Sequence, residues 1–331
     1  MMMMMMMMMG LIVATTTTTA VVVKTDRPII GILTQPSDRK TSNEEMSSYL
    51  AASYVKWAEA SGARVVPIHY DAPLNVTESL FYQINGVIFP GGGASLDNTT
   101  SNLFYSTALR IFELAEKVNK NQEEDSFPIH GTCLGFQLLS ILGAGGQENV
   151  LCDGCYKGVE GIPMKLNFTQ DARDSRLFRN MSDVLFEALH NENLTSNEHH
   201  SGVEPSMFLS NDLLFKTFTV LSTNVDPQTG REFVSTIESK TRPYTGTQWH
   251  PEKNNFEWST NVDLPHSSHA VEISQFVAND FVSRARMSTH RFRSEETESE
   301  SLIYNDVQYL EKDPDGYFAQ IYLWPNGYVG Y

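Results

Sequence analysis

After Pro28, short apolar segments alternate with segments of helical spacing, and this alternation constrains the fold more than any other feature of the 331-residue chain. The segments are apolar at almost every position, which is typical of parallel strands buried on both faces. The predicted strands are residues 29–33, 64–68, 86–90 and 127–131. The predicted helices are residues 49–58, 78–83, 103–118 and 134–142. Right-handed strand–helix–strand units place helices on both faces of a sheet. The sequence therefore predicts an α/β fold with an open, mostly parallel sheet and helices on both faces.

The pattern changes after residue 166. Three segments resemble meandering strands, and they are residues 215–222, 232–238 and 243–249. An amphipathic helix is predicted for residues 270–286. The acidic run at residues 295–300 (EETESE) is interpreted as a solvated linker. No internal repeat divides the chain, so the sequence predicts one folded domain over residues 24–331.

The first 23 residues have a different composition, with nine consecutive methionines, a threonine block and no charge before Lys24. An apolar N-terminal segment that ends in small residues is typical of a cleaved signal peptide, which is predicted here for residues 1–23. The basic start of such peptides is missing. The alternatives are a membrane anchor, whose apolar run the threonine block interrupts, and a wrongly assigned start codon. Five N-x-[ST] sequons agree with a glycosylating compartment, and their asparagines are Asn75, Asn98, Asn167, Asn180 and Asn193.

Composition excludes several classes of protein. The chain has 24 Lys and Arg against 40 Asp and Glu, a net charge of −16, and no basic stripe. Without a basic stripe, no group of side chains would neutralise the phosphates of a nucleic acid or of an anionic membrane, so neither partner is expected. A hydrophobic fraction of 41% supplies a core and excludes wholesale disorder. No segment after the N-terminus has the length of a transmembrane helix.

The chain has three cysteines, Cys133, Cys152 and Cys155. A zinc site would require a second pair of ligands near residues 152–155 (CDGC), and no partnering motif exists, so no metal is expected. These two cysteines form either a local disulfide or two idle thiols. Cys133 is left over in both cases.

Residues 131–135 (GTCLG) place Cys133 between a predicted strand and a predicted helix. A turn this tight leaves no room for a side chain at either glycine and pushes the central side chain into solvent. The start of a helix favours a thiolate, and the N–H of Leu134 would face an oxyanion formed there. These features are typical of a nucleophile elbow. A buried, inert cysteine in a glycine-rich turn is the alternative.

A thiolate nucleophile requires a base that can also protonate the leaving amine, and residues 249–252 (WHPE) contain one. In an extended segment, side chains two residues apart project to the same face, so Glu252 is expected beside His250 and would orient it. A surface histidine beside a surface glutamate is the alternative when this motif is considered alone. The glycine loop at residues 91–93 follows a predicted strand and is a candidate second half of an oxyanion hole.

The order of these motifs resembles the class I glutamine amidotransferase-like domains, and more closely the gamma-glutamyl hydrolase family (peptidase family C26). The resemblance covers residues 28–331 and is carried by residues 90–93 (PGGG), 131–137 (GTCLGFQ) and 248–252 (QWHPE), with further matches at residues 27–33, 51–56, 62–67 and 164–169. It implies a flavodoxin-like sheet of the amidotransferase type. Gln137 is the usual amidotransferase residue, whereas animal gamma-glutamyl hydrolases carry Glu at this position.

The resemblance also implies roles for individual residues. Cys133 resembles the nucleophile, His250 the general base and acid, and Glu252 the carboxylate that orients it. Leu134 and Gly92 resemble the backbone donors of the oxyanion hole. A further active-site histidine of the family matches His199, with the adjacent His200 as the alternative.

The family hydrolyses folylpoly-γ-glutamates in lysosomes, vacuoles or outside the cell, often as homodimers, without a metal or organic cofactor. Two other functions stay open. One is a glutaminase that supplies ammonia to a synthetase, and the other is a catalytically dead relative that binds a pterin or glutamate ligand.

Overall fold

The computed structural model describes residues 23–39, 45–121, 125–310 and 318–325. The predicted signal peptide therefore lies outside the described residues, except for Val23. Within the described ranges, no helix is long and apolar enough to cross a membrane.

The elements follow one another from strand to helix along the first half of the chain. The described strands are β1 (Ile29–Leu33), β2 (Gln35–Pro36), β3 (Met46–Ala51), β4 (Arg64–Ile68), β5 (Gly86–Phe89), β6 (Ile129–Thr132), β7 (Ile162–Met164), β8 (Asn167–Phe168), β9 (Thr195–Asn197), β10 (Phe218–Val225), β11 (Glu232–Ser239), β12 (Tyr244–Thr247), β13 (Gln308–Leu310) and β14 (Gln320–Pro325). The described helices are α1 (Ala52–Glu59), α2 (Leu74–Phe81), α3 (Leu103–Val118), α4 (Leu134–Gly143), α5 (Asp183–Asn191), α6 (Pro205–Ser210), α7 (Asp212–Thr217), α8 (Lys253–Phe256), α9 (Ser268–Ala285) and α10 (Glu295–Ser301).

Eight strands form one open sheet in the order β4-β1-β5-β6-β12-β11-β10-β8. The strands from β4 to β12 are parallel to their neighbours. The last three, β11, β10 and β8, continue the sheet in antiparallel pairs. The predicted open, mostly parallel sheet is therefore confirmed, and the meandering segments after residue 166 are its antiparallel part.

Helices cover both faces of this sheet, as β1 illustrates. Its residues Ile29 and Leu33 belong to a core with side chains from α2, α3 and α4. Its residues Ile30 and Ile32 belong to a second core with side chains from α1, α5 and α9. A strand that is buried on both faces must be apolar throughout, which explains the continuous apolar run in the sequence.

A second sheet has the order β13-β14-β3-β2 and lies next to the site described below. Its strand β3 runs directly into α1, so the segment from 49 to 58, predicted to be one helix, begins as a strand. Residues 49–51 are paired with β14 instead. The prediction was wrong there because the aromatic and aliphatic residues of this segment suit either structure, and pairing with β14, which is distant in sequence, decides between them.

Three other segments differ from the prediction in their bounds or in their type of structure. The helix predicted at 78–83 is α2, which begins earlier, and residues 215–217 are the end of α7 rather than a strand. The acidic run at 295–300 is α10, not a linker. Ser294 caps this helix by accepting the Thr297 N–H, and Glu298 forms an ion pair with Arg64. Negative charges in a first turn favour a helix, so the acidic run stabilises the structure in which it lies.

All five sequon asparagines are exposed. Asn75 lies in α2 and Asn167 in the short strand β8. The remaining three, Asn98, Asn180 and Asn193, lie outside the regular elements. Glycosylation of these sites stays a prediction.

Candidate active site

Three neighbouring parallel strands carry the candidate site at their carboxyl ends. Strand β5 leads into the glycine loop at 91–93, β6 leads into Cys133, and β12 leads toward His250. Because β5 pairs with β6 and β6 pairs with β12, the three loops lie side by side. This is the edge of an open α/β sheet at which ligands bind.

Cys133 lies in a strained turn between β6 and α4. Its φ of 52° makes it the single non-glycine residue with positive φ in the described part of the chain. A Cβ at Gly131 would lie 2.4 Å from the Gly135 carbonyl oxygen, and one at Gly135 would lie 1.8 Å from that of Phe89. Both glycines are therefore sterically required, and the geometry is that of the predicted elbow.

The Cys133 side chain lies at the wall of a cavity rather than on the open surface. The residue is 5% exposed and its thiol is free of any disulfide. The backbone N–H of Cys133 is donated to the Thr247 carbonyl at 2.8 Å, which ties the elbow to β12. Its Sγ lies 3.6 Å from the Glu198 carbonyl, to which it donates. The expectation that the turn pushes the thiol into solvent was wrong, because the segment from 198 to 202 lies over it.

His250 and Glu252 are in direct contact. The Nδ1 of His250 lies 2.7 Å from Oε1 of Glu252, and both residues are buried. The backbone N–H of His250 donates a hydrogen bond to the Ser196 carbonyl at 2.9 Å, which fixes the position of the backbone at this residue. The predicted contact between Glu252 and His250 is present, but the extended backbone from which it was predicted is not. Glu252 has helical dihedrals (φ −71°, ψ −23°) at the start of α8, so a turn after Pro251 brings the carboxylate back to the ring.

The electrostatics of this group favour a protonated imidazole. Burial opposes the charge on His250, but the Glu252 carboxylate and the Cys133 thiolate outweigh burial and raise the pKa of His250 to about 10. The arrangement therefore places a protonated imidazole beside Cys133.

Tyr54 from α1 connects the glycine loop to the histidine. Its hydroxyl accepts the Gly91 N–H at 2.7 Å and lies 3.4 Å from His250 Nδ1. Burial and the nearby Glu252 carboxylate raise the pKa of Tyr54, so its hydroxyl stays protonated. A Cβ at Gly91 would lie 2.7 Å from Cε1 of His250 and 3.3 Å from Cβ of Cys133, so this glycine lies between nucleophile and base.

The two predicted oxyanion-hole donors lie in different segments, Gly92 in the glycine loop after β5 and Leu134 at the start of α4. Gly92 has φ +155°, and a Cβ there would lie 2.5 Å from the Gln35 side chain. Leu134 is the first residue of α4, where backbone N–H groups have no partner within the helix. Both positions suit donation to an oxyanion next to Cys133, and this role stays a prediction.

The structure separates the two adjacent histidines. His199 is 4% exposed and packs edge-on against Phe233 and Tyr156, and its Nδ1 lies 3.0 Å from the Ser201 carbonyl. Burial lowers the pKa of His199 to about 3, so its ring is neutral. His200 instead lines the cavity that contains Cys133 and lies 3.2 Å from Glu160. Of the two histidines, the structure places His200, not His199, at the wall of the Cys133 cavity.

Cys152 and Cys155 form a disulfide, which resolves the two alternatives that the sequence left open. The loop that it closes is bonded to the segment next to the site. The Cys152 N–H is donated to the Gly202 carbonyl at 2.8 Å, and the Tyr156 N–H to the His200 carbonyl at 2.9 Å. The disulfide therefore stabilises the segment that lies over Cys133.

We expect the double substitution Cys152→Ser with Cys155→Ser to lower the free energy of unfolding by about 2 kcal/mol, since the disulfide closes a short loop. Thermal unfolding measured by calorimetry, with the wild type in the same buffer as the reference, checks this. An unchanged melting temperature would show that the loop holds its shape without the bond.

Some functional candidates carried no signal of their own in the sequence. Tyr54 appeared as one of many aromatic residues on a helical segment, and Glu198 appeared as an ordinary polar residue. Lys253 directly follows the WHPE motif, is 1% exposed and forms an ion pair with Glu198. Among the described residues, no group of three or more His, Cys, Asp or Glu side chains is placed to hold a metal ion.

Comparisons with known proteins show the family of the chain. The peptidase C26 family model matches residues 28–252. Gamma-glutamyl hydrolase of Mus musculus is 40% identical over 284 residues, which cover 85% of this chain and 84% of the mouse protein. Gamma-glutamyl hydrolase B of Dictyostelium discoideum is 39% identical over 297 residues, which cover 89% of this chain and 82% of that protein.

A solved structure agrees in fold. The glutaminase domain of Trypanosoma brucei CTPS, with bound acivicin, has a TM-score of 0.50 at 12% identity, covering 80% of this chain and 98% of that chain. At this identity the likeness concerns the fold alone, and it confirms the predicted amidotransferase-like sheet. Together with the family model and the relatives, it confirms the resemblance noted in the sequence: the chain belongs to the peptidase C26 family.

Proposed function

We propose that the protein is a cysteine hydrolase that cleaves the γ-glutamyl bonds of folylpoly-γ-glutamates. The observation that supports this most directly is that a Cβ at Gly91 would lie 3.3 Å from Cβ of Cys133 and 2.7 Å from Cε1 of His250, so the two residues flank this glycine, while His250 is hydrogen-bonded to Glu252. Cys133 and His250 line one cavity of 360 Å³, and the buried Glu252 contacts His250. The substrate class comes from the relatives, which are named gamma-glutamyl hydrolases.

In the first half of the reaction, the Cys133 thiolate attacks the γ-carbonyl carbon and forms a carbon–sulfur bond. The carbonyl oxygen becomes an oxyanion that the N–H groups of Leu134 and Gly92 stabilise. When the carbon–nitrogen bond breaks, the His250 imidazolium gives its Nε2 proton to the departing amine. Glu252 holds the proton on Nδ1 throughout and keeps the ring in place. The products are free glutamate or a glutamyl peptide, and a thioester.

In the second half, the neutral His250 takes a proton from water as the water oxygen attacks the thioester carbon. The carbon–sulfur bond breaks, the shortened folate leaves as a carboxylic acid, and the thiolate–imidazolium pair is restored. Tyr54 keeps its proton and holds the Gly91 N–H, so the next amide of the loop, that of Gly92, faces the oxyanion.

The direct test is to incubate the protein with folate pentaglutamate at pH 5 and pH 7, with and without iodoacetamide. Release of glutamate or glutamyl peptides that iodoacetamide abolishes supports the proposal, and the product lengths give the cleavage mode. No release from this substrate but hydrolysis of glutamine would support the glutaminase alternative. No release and an unreactive Cys133 would support a binding protein without activity.

We expect Glu252→Gln to move the alkaline limb of the kcat/KM profile to lower pH. The limb reports loss of the His250 proton, whose pKa is raised to about 10, and Glu252 is the strongest of the charges that raise it. Removing this charge lowers the pKa of His250, so the imidazolium is lost earlier as pH rises. A pH–rate profile of both proteins on the same substrate checks this, and coincident alkaline limbs would contradict the role of Glu252.

The compartment follows from the same proposal. The exposed sequon asparagines and the Cys152–Cys155 disulfide support an oxidising, glycosylating route to a lysosome, a vacuole or the cell exterior. A mobility shift after treatment with an endoglycosidase checks the glycans. The homodimer that the family resemblance implies stays a prediction, which light scattering on the purified protein checks.

A further inference from the structure

The disulfide loop, residues 152–156, contacts the segment that covers the nucleophile. This cover segment is residues 198–202, and its Glu198 carbonyl accepts the hydrogen bond of the Cys133 thiol at 3.6 Å. Glu198 and His200 also line the 360 Å³ cavity that contains Cys133. The position of the cover segment therefore determines how Cys133 is reached and what a bound substrate contacts beside it.

Backbone hydrogen bonds hold the cover segment against the disulfide loop. In the described part of the chain, every backbone-to-backbone hydrogen bond of residues 199–202 joins them to this loop. The Cys152 N–H donates to the Gly202 carbonyl at 2.8 Å, and the Gly202 N–H donates to the Cys152 carbonyl at 3.3 Å. The Tyr156 N–H donates to the His200 carbonyl at 2.9 Å. A displacement of the loop would therefore displace the cover segment.

Ser201, inside the cover segment, is held by the same loop through its side chain. Its hydroxyl accepts the Gly154 N–H at 3.1 Å and donates to the Asp153 carboxylate at 2.6 Å. On the other side, the Ser201 carbonyl accepts a hydrogen bond from the Gln137 side chain at 2.8 Å. Gln137 belongs to α4, the helix that follows Cys133. The cover segment is thus bonded to the disulfide loop on one side and to the elbow helix on the other.

The disulfide fixes the part of the loop that contacts Ser201. The chain before the loop is anchored elsewhere, since the Leu151 N–H donates to the Glu148 carbonyl at 3.0 Å. The chain after it is anchored as well, since the Lys157 N–H donates to the Asp226 carboxylate at 2.8 Å. Between these anchors, the disulfide closes the turn that bonds to Ser201. Opening the disulfide would therefore release this turn without releasing the chain around it.

A small thiol can reach this disulfide from solution. Cys152 and Cys155 are partly exposed, and the two residues between them, Asp153 and Gly154, are exposed. Cys133, by contrast, is 5% exposed and lies under the cover segment. A thiol in solution therefore meets the disulfide before it meets the nucleophile.

The exchange reaction uses two thiol groups. The first, as a thiolate, attacks one sulfur of the protein disulfide, forms a mixed disulfide and releases the other cysteine as a thiolate. The second attacks the sulfur that came from the first thiol, so that a small disulfide leaves and the remaining cysteine is released. Two electrons pass from the two small thiols to the protein disulfide. A small disulfide closes the bond again by the reverse steps, because the two cysteines stay three positions apart in the chain.

We propose that Cys152 and Cys155 form a thiol-exchange site, and that opening their disulfide with a small thiol loosens the cover segment over Cys133. The closed bond favours hydrolysis, because Glu198 and His200 then keep their positions at the cavity wall. The open bond favours access to the Cys133 thiol and disfavours hydrolysis. The inference rests on the proposed function for its effect on hydrolysis, but not for its effect on the accessibility of Cys133.

The test compares the full-length protein before and after treatment with dithiothreitol, which carries both thiol groups and is then removed without oxygen. Intact mass after alkylation shows whether the disulfide is open. Two rates are measured on separate samples, below the unfolding temperature of either form. They are the alkylation of Cys133 by iodoacetamide, located by peptide mapping, and the hydrolysis of folate pentaglutamate.

We expect opening of the disulfide to raise the alkylation rate of Cys133 and to lower kcat/KM, each by about 10-fold. Loss of a disulfide that closes a short loop raises the population of a locally opened segment by about this factor. Oxidised glutathione, which closes the bond again, should restore both rates.

The double substitution Cys152→Ser with Cys155→Ser is the matched control. It should have the two rates of the opened wild type and should not respond to dithiothreitol. A reagent that only restores an oxidised Cys133 would instead raise both rates, and it would do so in the variant as well. That result would overturn the inference.

Unchanged rates after complete opening of the disulfide would also overturn it, as would a disulfide that dithiothreitol does not open in the folded protein. If the double variant does not fold, the open and closed forms of the wild type decide the question. If the wild type cleaves no folate polyglutamate, the proposed function fails, and the alkylation rate of Cys133 still decides this inference.

Discussion

Cys133→Ala is expected to lower kcat on folate pentaglutamate by about 10⁴-fold or more, because removing a nucleophile removes every step that follows its attack. The fold should persist. The thiol makes one long hydrogen bond to the Glu198 carbonyl, and the elbow is held by the Cys133 N–H and by the two glycines, all of which the variant keeps. Steady-state kinetics and a thermal unfolding curve on the same preparation separate the two effects.

A second measurement distinguishes residual activity of the variant from activity of contaminating wild-type enzyme. Rapid quenching of the wild type followed by intact-mass spectrometry should detect the acyl group on the protein, and peptide mapping should place it on Cys133. The variant should show no added mass. Appreciable turnover by pure Cys133→Ala would remove this residue from the nucleophile role.

Gly91→Ala is expected to lower kcat by about 10²-fold with little loss of stability, since a displacement of about 1 Å between reacting groups has an effect of this size. The new methyl group would lie 2.7 Å from Cε1 of His250 and 2.9 Å from the Tyr54 hydroxyl. These are side-chain atoms, so the ring and the tyrosine can shift to admit it. The shift would move the imidazole away from Cys133 and from Glu252.

Gly93→Ala is the matched control, because a Cβ there meets nothing within 4 Å. It changes the same loop by the same methyl group and should cause a much smaller loss. Kinetics on both variants, together with the rate at which iodoacetamide alkylates Cys133, report the geometry of the pair. A similar loss of kcat in the two variants would mean that the loop tolerates no methyl group at either position. The proximity of Gly91 to His250 would then not account for the effect of Gly91→Ala.

The position of Cys133 was predictable from a short-range rule, whereas Glu252 reaches His250 through a turn that the rule for extended segments did not predict. An elbow needs glycines at fixed offsets from its nucleophile, and buried parallel strands are apolar throughout. Both patterns are complete within a few residues of the sequence.

Other features depend on partners distant in the sequence. Tyr54 belongs to the site because β3 and α1 place its hydroxyl against Gly91, and no local pattern states this. The end of β3, residues 49–51, was predicted as helix because its pairing partner, β14, lies near the other end of the chain. The acidic run at 295–300 was interpreted from its charge alone, whereas its helix depends on the Ser294 cap and on Arg64.

The placement of β12 has a consequence for the newly made chain. β12 pairs in parallel with β6, and its loop supplies His250 after all the parallel strands before it have been synthesised. A ribosome-bound chain that has completed β6 and α4 already contains the thiol, but it has no imidazole beside it. The Thr247 carbonyl that accepts the Cys133 N–H is also missing at that stage. Under the proposed mechanism, catalytic competence would therefore arise late in translation, because a chain that ends before residue 250 lacks the proposed general base.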